Sequence, residues 1–240
     1  MIIGDPDIWS DTFPEELVPR VLDLITDTWT TFDKPGPADL EVPTTRRFKH
    51  ALKQAKDLNR LPVRLEREPA EDDPETGDEL GRIDLKFLPA VSAREEVYFA
   101  FECKRLNVAA NGGRRSLAPE YVTEGMMRFV TGQYAGSVRH GGMIGYVLDG
   151  CRDDAIEHVG QNIASRATEL CMNTPARLDR NRLRPAADHI RETNHALKPS
   201  RPFTLHHMFL AADGANPAVA FDSLTPTTSS PQEGGGSCRQ

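Results

Sequence analysis

Apolar residues recur along this chain with two periods, and each change of period marks a new element. Leu17, Val21, Leu22, Leu24, Ile25 and Trp29 fall at helical spacing behind Pro14, Glu15 and Glu16, so they predict a first helix in which Pro19 marks a kink or a late start. Ahead of it, residues 1–13 carry Trp9 and Phe13 as a packed arm. Lys34 to Pro43 is rich in Pro and Gly and reads as a loop. Thr44 then caps a second helix reaching about Leu58, with Phe48, Ala51, Leu52 and Ala55 on one face.

The next part of the chain switches to period two. Leu61 to Glu66 alternates as a strand, and the acidic stretch Glu68 to Glu79 reads as an exposed loop. Two short apolar runs, Ile83 to Leu88 and Val97 to Phe101, form a hairpin across a polar turn. Tyr121 to Tyr134 is helical, with Gly125 and Gly132 pointing to close backbone approach or an early helix end. Gly141 to Gly150 is a buried parallel strand after that crossover, and Arg152 to Cys171 is the next helix. Asn173 to Pro202 reads as a basic insertion, Thr204 to Ala211 and Ala218 to Leu224 as a closing hairpin, and residues 225–240 as a disordered tail. The expected architecture is a single α/β domain over residues 1–224, a mixed central sheet flanked by helices with an N-terminal helical extension.

Charge breaks the strand pattern in three places. Asp84 interrupts the first run of the hairpin, and Glu102 and Lys104 extend the second, where a purely structural strand favours Val or Ile. Alternation puts Glu102 and Lys104 on one face and Phe101 and Cys103 on the other. Antiparallel pairing of the two strands brings Asp84 to the same end. Two carboxylates with a backbone carbonyl suit Mg²⁺ or Mn²⁺, and a neighbouring Lys can orient or deprotonate a water. Such a set is equipped to hydrolyse a phosphodiester.

Asp84, a spacing of eighteen positions to Glu102, and the run Glu102-Cys103-Lys104 ending an apolar strand together resemble the core of the PD-(D/E)XK nuclease superfamily. The resemblance spans roughly Thr44 to Leu170 and extends to the order strand, strand, strand, helix, strand, helix. The chain departs from the motif at Ile83, where a Pro is common. The resemblance implies a restriction-endonuclease-like core and Mg²⁺-dependent cleavage of DNA leaving a 5′-phosphate, with restriction or anti-phage defence as a common setting. It implies Asp84, Glu102 and the Cys103 carbonyl as metal ligands, Lys104 as the residue that positions the attacking water, and Glu41 as an additional acid.

Composition adjusts this picture. The chain has 240 residues, a net charge of −7 and 27% charged residues. Acid concentrates between Glu66 and Glu79, leaving local basic surfaces for a polyanion. Arg46, Lys49, Lys53 and Lys56 form a stripe on the second helix that fits either a solvated face or a phosphate-tracking surface. Arg105, Arg114 and Arg115 sit in or beside a glycine-containing segment, residues 107–119, that fits either a substrate loop or a plain connection. Such surfaces serve DNA or RNA alike, and cutting both strands of a duplex calls for a homodimer. His206 and His207 must face opposite sides of their strand, with a structural role for each favoured over a catalytic one. Four cysteines without a CxxC pair, no apolar run of membrane length and no secretion signal make a cytoplasmic protein the expectation. Walker, GxSxG, HExxH and zinc-finger patterns are missing. The alternative is a non-catalytic module of the same fold serving as a subunit of a larger assembly.

Overall fold

A computed structural model of the protein describes residues 12–67, 70–72, 79–92, 94, 96–110, 113–134, 138–197 and 201–212. Its centre is a seven-stranded sheet built from β1 (Val63–Arg67), β4 (Leu85–Pro89), β5 (Phe99–Leu106), β8 (His140–Val147), β9 (Asp179–Arg180), β10 (Ile190–Leu197) and β11 (Arg201–Ala211). The strand order is β1-β4-β5-β8-β11-β10-β9. β5, β8 and β11 run parallel in the middle, and the pairs on either side are antiparallel. Two small ribbons stand apart from it, β2 (Ala70–Asp72) with β3 (Glu79–Arg82), and β6 (Val108–Ala110) with β7 (Gly113–Arg115).

Helices cover both faces, as a parallel centre requires. On one side α1 (Leu17–Thr31) and α2 (Glu41–Leu58) bury Val21, Ile25, Trp29, Phe48 and Leu52 against Phe99, Phe101, Cys103 and Tyr146. On the other lie α3 (Ala118–Glu120), a π-helical turn over Tyr121–Met126, α4 (Met127–Val130) and α5 (Arg152–Ser165), whose Tyr121, Val122, Phe129, Val159 and Ile163 pack with Ala100, Leu106 and Met143. The α/β class and the mixed central sheet flanked by helices are therefore present as expected.

Several local readings change. Pro19 is the third residue of α1, so the helix starts late rather than bending, since the first turn needs no intrahelical N–H bond. For the same reason Pro43 is tolerated inside α2, which begins at Glu41 instead of Thr44. Part of the acidic loop forms the β2–β3 ribbon, and the segment after Leu106 forms the β6–β7 ribbon. The supposed basic insertion holds β9 and β10, because its Ile190, Glu192 and Thr193 are buried despite weak hydrophobic periodicity. β11 pairs with β10 and β8, while its expected partner, residues 218–224, and the tail, residues 225–240, lie outside the described residues.

The glycines act as read. A Cβ on Gly125 would lie 2.4 Å from Met143 Cε, so the π-helical turn sits directly on β8. Gly132, with φ +81°, ends α4. No helix among the described residues is long and apolar enough to cross a membrane.

Candidate functional site

The site forms where β4 stops and β5 continues. Leu85 is the last residue of β4 to face β5, opposite Phe101, so Glu102 to Leu106 have no strand neighbour on that edge among the described residues. A strand edge of this kind leaves alternate N–H and C=O groups without partners. Asp84 turns out of line just before β4, and its Oδ2 accepts the Cys103 N–H at 2.8 Å. Glu41, first residue of α2, does the same one pleat further on, its Oε2 accepting the Arg105 N–H at 3.1 Å. Its position at a helix N-terminus also favours a negative side chain. Because N–H and C=O of one strand residue point to the same side, the Cys103 carbonyl lies on the edge that these two acids occupy.

Glu102 and Lys104 share the opposite face from Cys103, and Lys104 Nζ donates to Glu102 Oε1 at 2.8 Å and to Glu41 Oε1 at 3.2 Å. Glu102 is 1% exposed and receives further donors: Arg128 Nη1 at 3.2 Å and the Tyr134 hydroxyl at 2.5 Å, both at Oε2. Burial, followed by the nearby Glu102 charge, pushes the Asp84 carboxyl up to about 7. For Lys104 burial works against the ammonium, but Glu102 and Glu41 outweigh it and hold the group charged well above the usual lysine range. The Cys103 thiol is driven up by burial, so it stays a neutral core group beside Tyr146 and Thr45.

Beside Asp84 opens a cleft of about 260 Å³ lined by Val42, Thr45, Arg46, Lys49, Arg82 and Asp84. Three of its six lining residues are basic and one is acidic.

The predicted site residues thus divide into two groups. Asp84, Glu102, Lys104, the Cys103 backbone and Glu41 come together. Arg46 and Lys49 line the cleft, with Lys49 largely buried rather than on a solvated stripe. Lys53 is exposed and Lys56 pairs with Asp57 at 2.6 Å. Arg105 reaches the Asp39 carbonyl at 3.2 Å. Arg114 is held by Asp149 and Asp154, and Arg115 by Glu120, so the β6–β7 ribbon spends its charge on structure. His206 and His207 do face opposite sides, and both are buried in networks away from these acids.

Sequence reasoning missed Arg82, Arg128 and Tyr134. Arg82 could have been found by its two-residue distance from Asp84. Nothing in helical spacing links Arg128 to a strand residue twenty-six positions earlier.

Asp84, Glu102, Glu41 and the Cys103 carbonyl are the hard oxygen donors that Mg²⁺ and Mn²⁺ prefer. Among the described residues no group of three or more His, Cys, Asp and Glu side chains is arranged to hold a metal ion, so a cation here would lean on two carboxylates and water. Comparison of the chain with family models, with curated proteins and with solved structures finds no match in any of the three.

Proposed function

We propose that the protein is a metal-dependent nuclease with a restriction-endonuclease-like core, hydrolysing phosphodiester bonds of DNA with Mg²⁺ or Mn²⁺. The observation that carries this reading is the meeting of Asp84, Glu102 and Lys104 at the free edge of β5, with a basic cleft opening directly onto Asp84. Two carboxylates and a carbonyl are oxygen donors of the kind such a cation takes. A carboxyl pushed to about 7 by burial and a second acid is a group short of positive charge, and a divalent ion supplies it.

Asp84, Glu102 and the Cys103 carbonyl would hold the ion, with Glu41 on the same strand edge. When bound, the ion polarises the phosphoryl oxygen and acidifies water. The chain does the rest. Lys104, fixed between Glu102 and Glu41, orients the attacking water and offers positive charge to the developing phosphorane. Arg46 and Arg82, both exposed, lay the backbone phosphates along the cleft, and the same contacts would serve RNA. Cutting both strands would take two copies of the chain.

One observation favours the second reading, a non-catalytic module: Lys104, Arg128 and Tyr134 already satisfy Glu102. Plasmid nicking separates the two. Wild type with Mg²⁺ should convert supercoiled plasmid, while chelator or Lys104→Ala should lower the rate by at least about a hundredfold. Cleavage that ignores both would remove the nuclease reading, and an inert wild type would leave the module.

A further inference from the structure

Glu102 is neutralised twice, and the two cations are held differently. Lys104 is 10% exposed and tied to both Glu102 and Glu41. Arg128 comes from α4, is 34% exposed, and its Nη1 lies 3.2 Å from either oxygen of Glu102 and 3.0 Å from the Tyr134 hydroxyl. Arg128 is the more exposed of the two.

We propose that Arg128 is a removable counter-ion: it holds Glu102 while no cation is bound, and a divalent cation taken by Asp84 and Glu102 competes with it for that carboxylate. The inference rests on the metal-dependent reading above. A buried carboxylate is costly without a positive or hydrogen-bonding partner, so a guanidinium keeps the site folded in the absence of metal. A guanidinium and a dication on one carboxylate repel each other, so the presence of one weakens the other. Tyr134 marks the exchange point. Its hydroxyl stays on Glu102 Oε2 at 2.5 Å when the guanidinium leaves, so the carboxylate keeps its orientation. The guanidinium thereby lowers the metal affinity of the site.

The test is a Ca²⁺ titration of the full chain by calorimetry, paired with the Ca²⁺-induced shift in melting temperature. Ca²⁺ is a hard cation that reports binding without relying on turnover. Arg128→Gln should bind on the order of tenfold tighter than wild type. Arg128→Lys, which keeps the charge, should stay near wild type, and Asp84→Asn should lose binding. Arg128→Met, which keeps length and packing, gives the same test if the melting curve without metal shows the Gln variant unfolded. Equal or weaker binding by Arg128→Gln, with binding still lost in Asp84→Asn, overturns the counter-ion role and leaves the metal site standing. No Ca²⁺ binding by any variant, or binding indifferent to Asp84→Asn, overturns both.

Discussion

Asp84 Oδ2 accepts the Cys103 N–H at 2.8 Å, and this one bond converts a strand end into a candidate site. It closes part of the edge that β4 leaves open, and it draws a carboxyl into the interior next to Glu102. Glu41 repeats the device at Arg105 from a position more than sixty residues away. Hydrogen bonds to charged acceptors contribute about 1.5–3 kcal/mol each, so both acids are partly structural. The crowding of Asp84 against Glu102 is what structure alone does not need.

That crowding predicts a trade between stability and function at Asp84. Its folded pKa of about 7 lies above the unfolded value of 3.8, so the favourable contribution is complete below 3.8 and lost as pH rises through 7. Above neutrality the carboxylate opposes folding by a few kcal/mol. Asp84→Asn keeps an oxygen for the Cys103 N–H and removes the charge. It should raise the urea midpoint at pH 8, with the gain vanishing near pH 4, while abolishing Mg²⁺-dependent nicking. A variant less stable than wild type at pH 8 would show that Asp84 is not strained by its neighbours.

How much of this was legible before the structure depends on the range of the interaction that fixed each part. Asp84, Glu102 and Lys104 stood out because a strand face has a strict period, and a charge at the wrong position breaks it visibly. Glu41 falls in a stretch that reads as a loop and is singled out by the resemblance alone, since only the fold brings α2 to the edge of β5. The strands β9 and β10 were hidden because their buried polar residues are satisfied in pairs. Glu192 takes the Arg182 guanidinium at 2.5 Å, and Thr193 and His195 bond to each other at 2.7 Å. Hydrophobic periodicity is blind to such partners. The basic segments stayed ambiguous for the converse reason, because the sequence shows the charges of Arg114 and Arg115 but not the acids folded against them.

The buried histidines form a directed relay, and it predicts sensitivity to acid. His195 Nδ1–H donates to the Leu170 carbonyl at 2.7 Å, so its Nε2 must accept from the Thr193 hydroxyl. The same hydroxyl then accepts from His207 Nε2–H at 2.9 Å, leaving His207 Nδ1 to accept from Tyr121 at 3.0 Å. Every member is neutral, and protonation of either imidazole breaks a bond. Burial pushes His195 and His207 down, and His206 down to about 3. Folded values below the unfolded 6.5 mean that the contribution is present above pH 6.5 and lost as pH falls from there toward 3. His206 adds a slope of about 1.4 kcal/mol per pH unit within that window, His195 and His207 act in the same direction, and the protonated Asp84 opposes them. Urea midpoints should hold from pH 7.5 to 6.5 and fall from pH 6.5 to 5, and Thr193→Val should cost roughly 2–4 kcal/mol at pH 7.5 by orphaning both ring partners. A flat pH profile would refute the relay.

The central strand β8 predicts a sharp difference between two glycines. A Cβ on Gly142 would meet the Phe101 ring at 2.1 Å, whereas nothing lies within 4 Å of one on Gly36. Phe101 is fully buried between Phe87 and Phe99, with no space into which to retreat. Gly142→Ala should therefore destabilise by about 1–3 kcal/mol or more, a fall of several degrees in melting temperature for a chain of this size. Gly36→Ala should leave it unchanged or slightly higher, by reducing unfolded-state freedom. Equal melting temperatures would mean that β8 does not sit against β5 as described.

Substrate contact should follow the cleft and not the visible density of arginine. Arg46 lines the opening beside Asp84 and is solvent-exposed, so Arg46→Ala removes the proposed phosphate contact without emptying the core. Arg114 bonds Asp149 at 2.8 Å and Asp154 at 2.9 Å, and Asp149 also accepts Asn107 Nδ2 at 3.1 Å and the Cys151 N–H at 3.0 Å. A guanidinium neutralised in this way has little field left for a polyanion. DNA binding should therefore weaken in Arg46→Ala at every sequence tested, with the slope of log affinity against log salt reduced by about one. Arg114→Ala should keep the wild-type slope while loosening the β6–β7 ribbon, which amide exchange in that ribbon would report. The reverse pattern, with Arg114 carrying the salt dependence and Arg46 silent, would move the substrate to the ribbon and leave the cleft beside Asp84 without a nucleic-acid role.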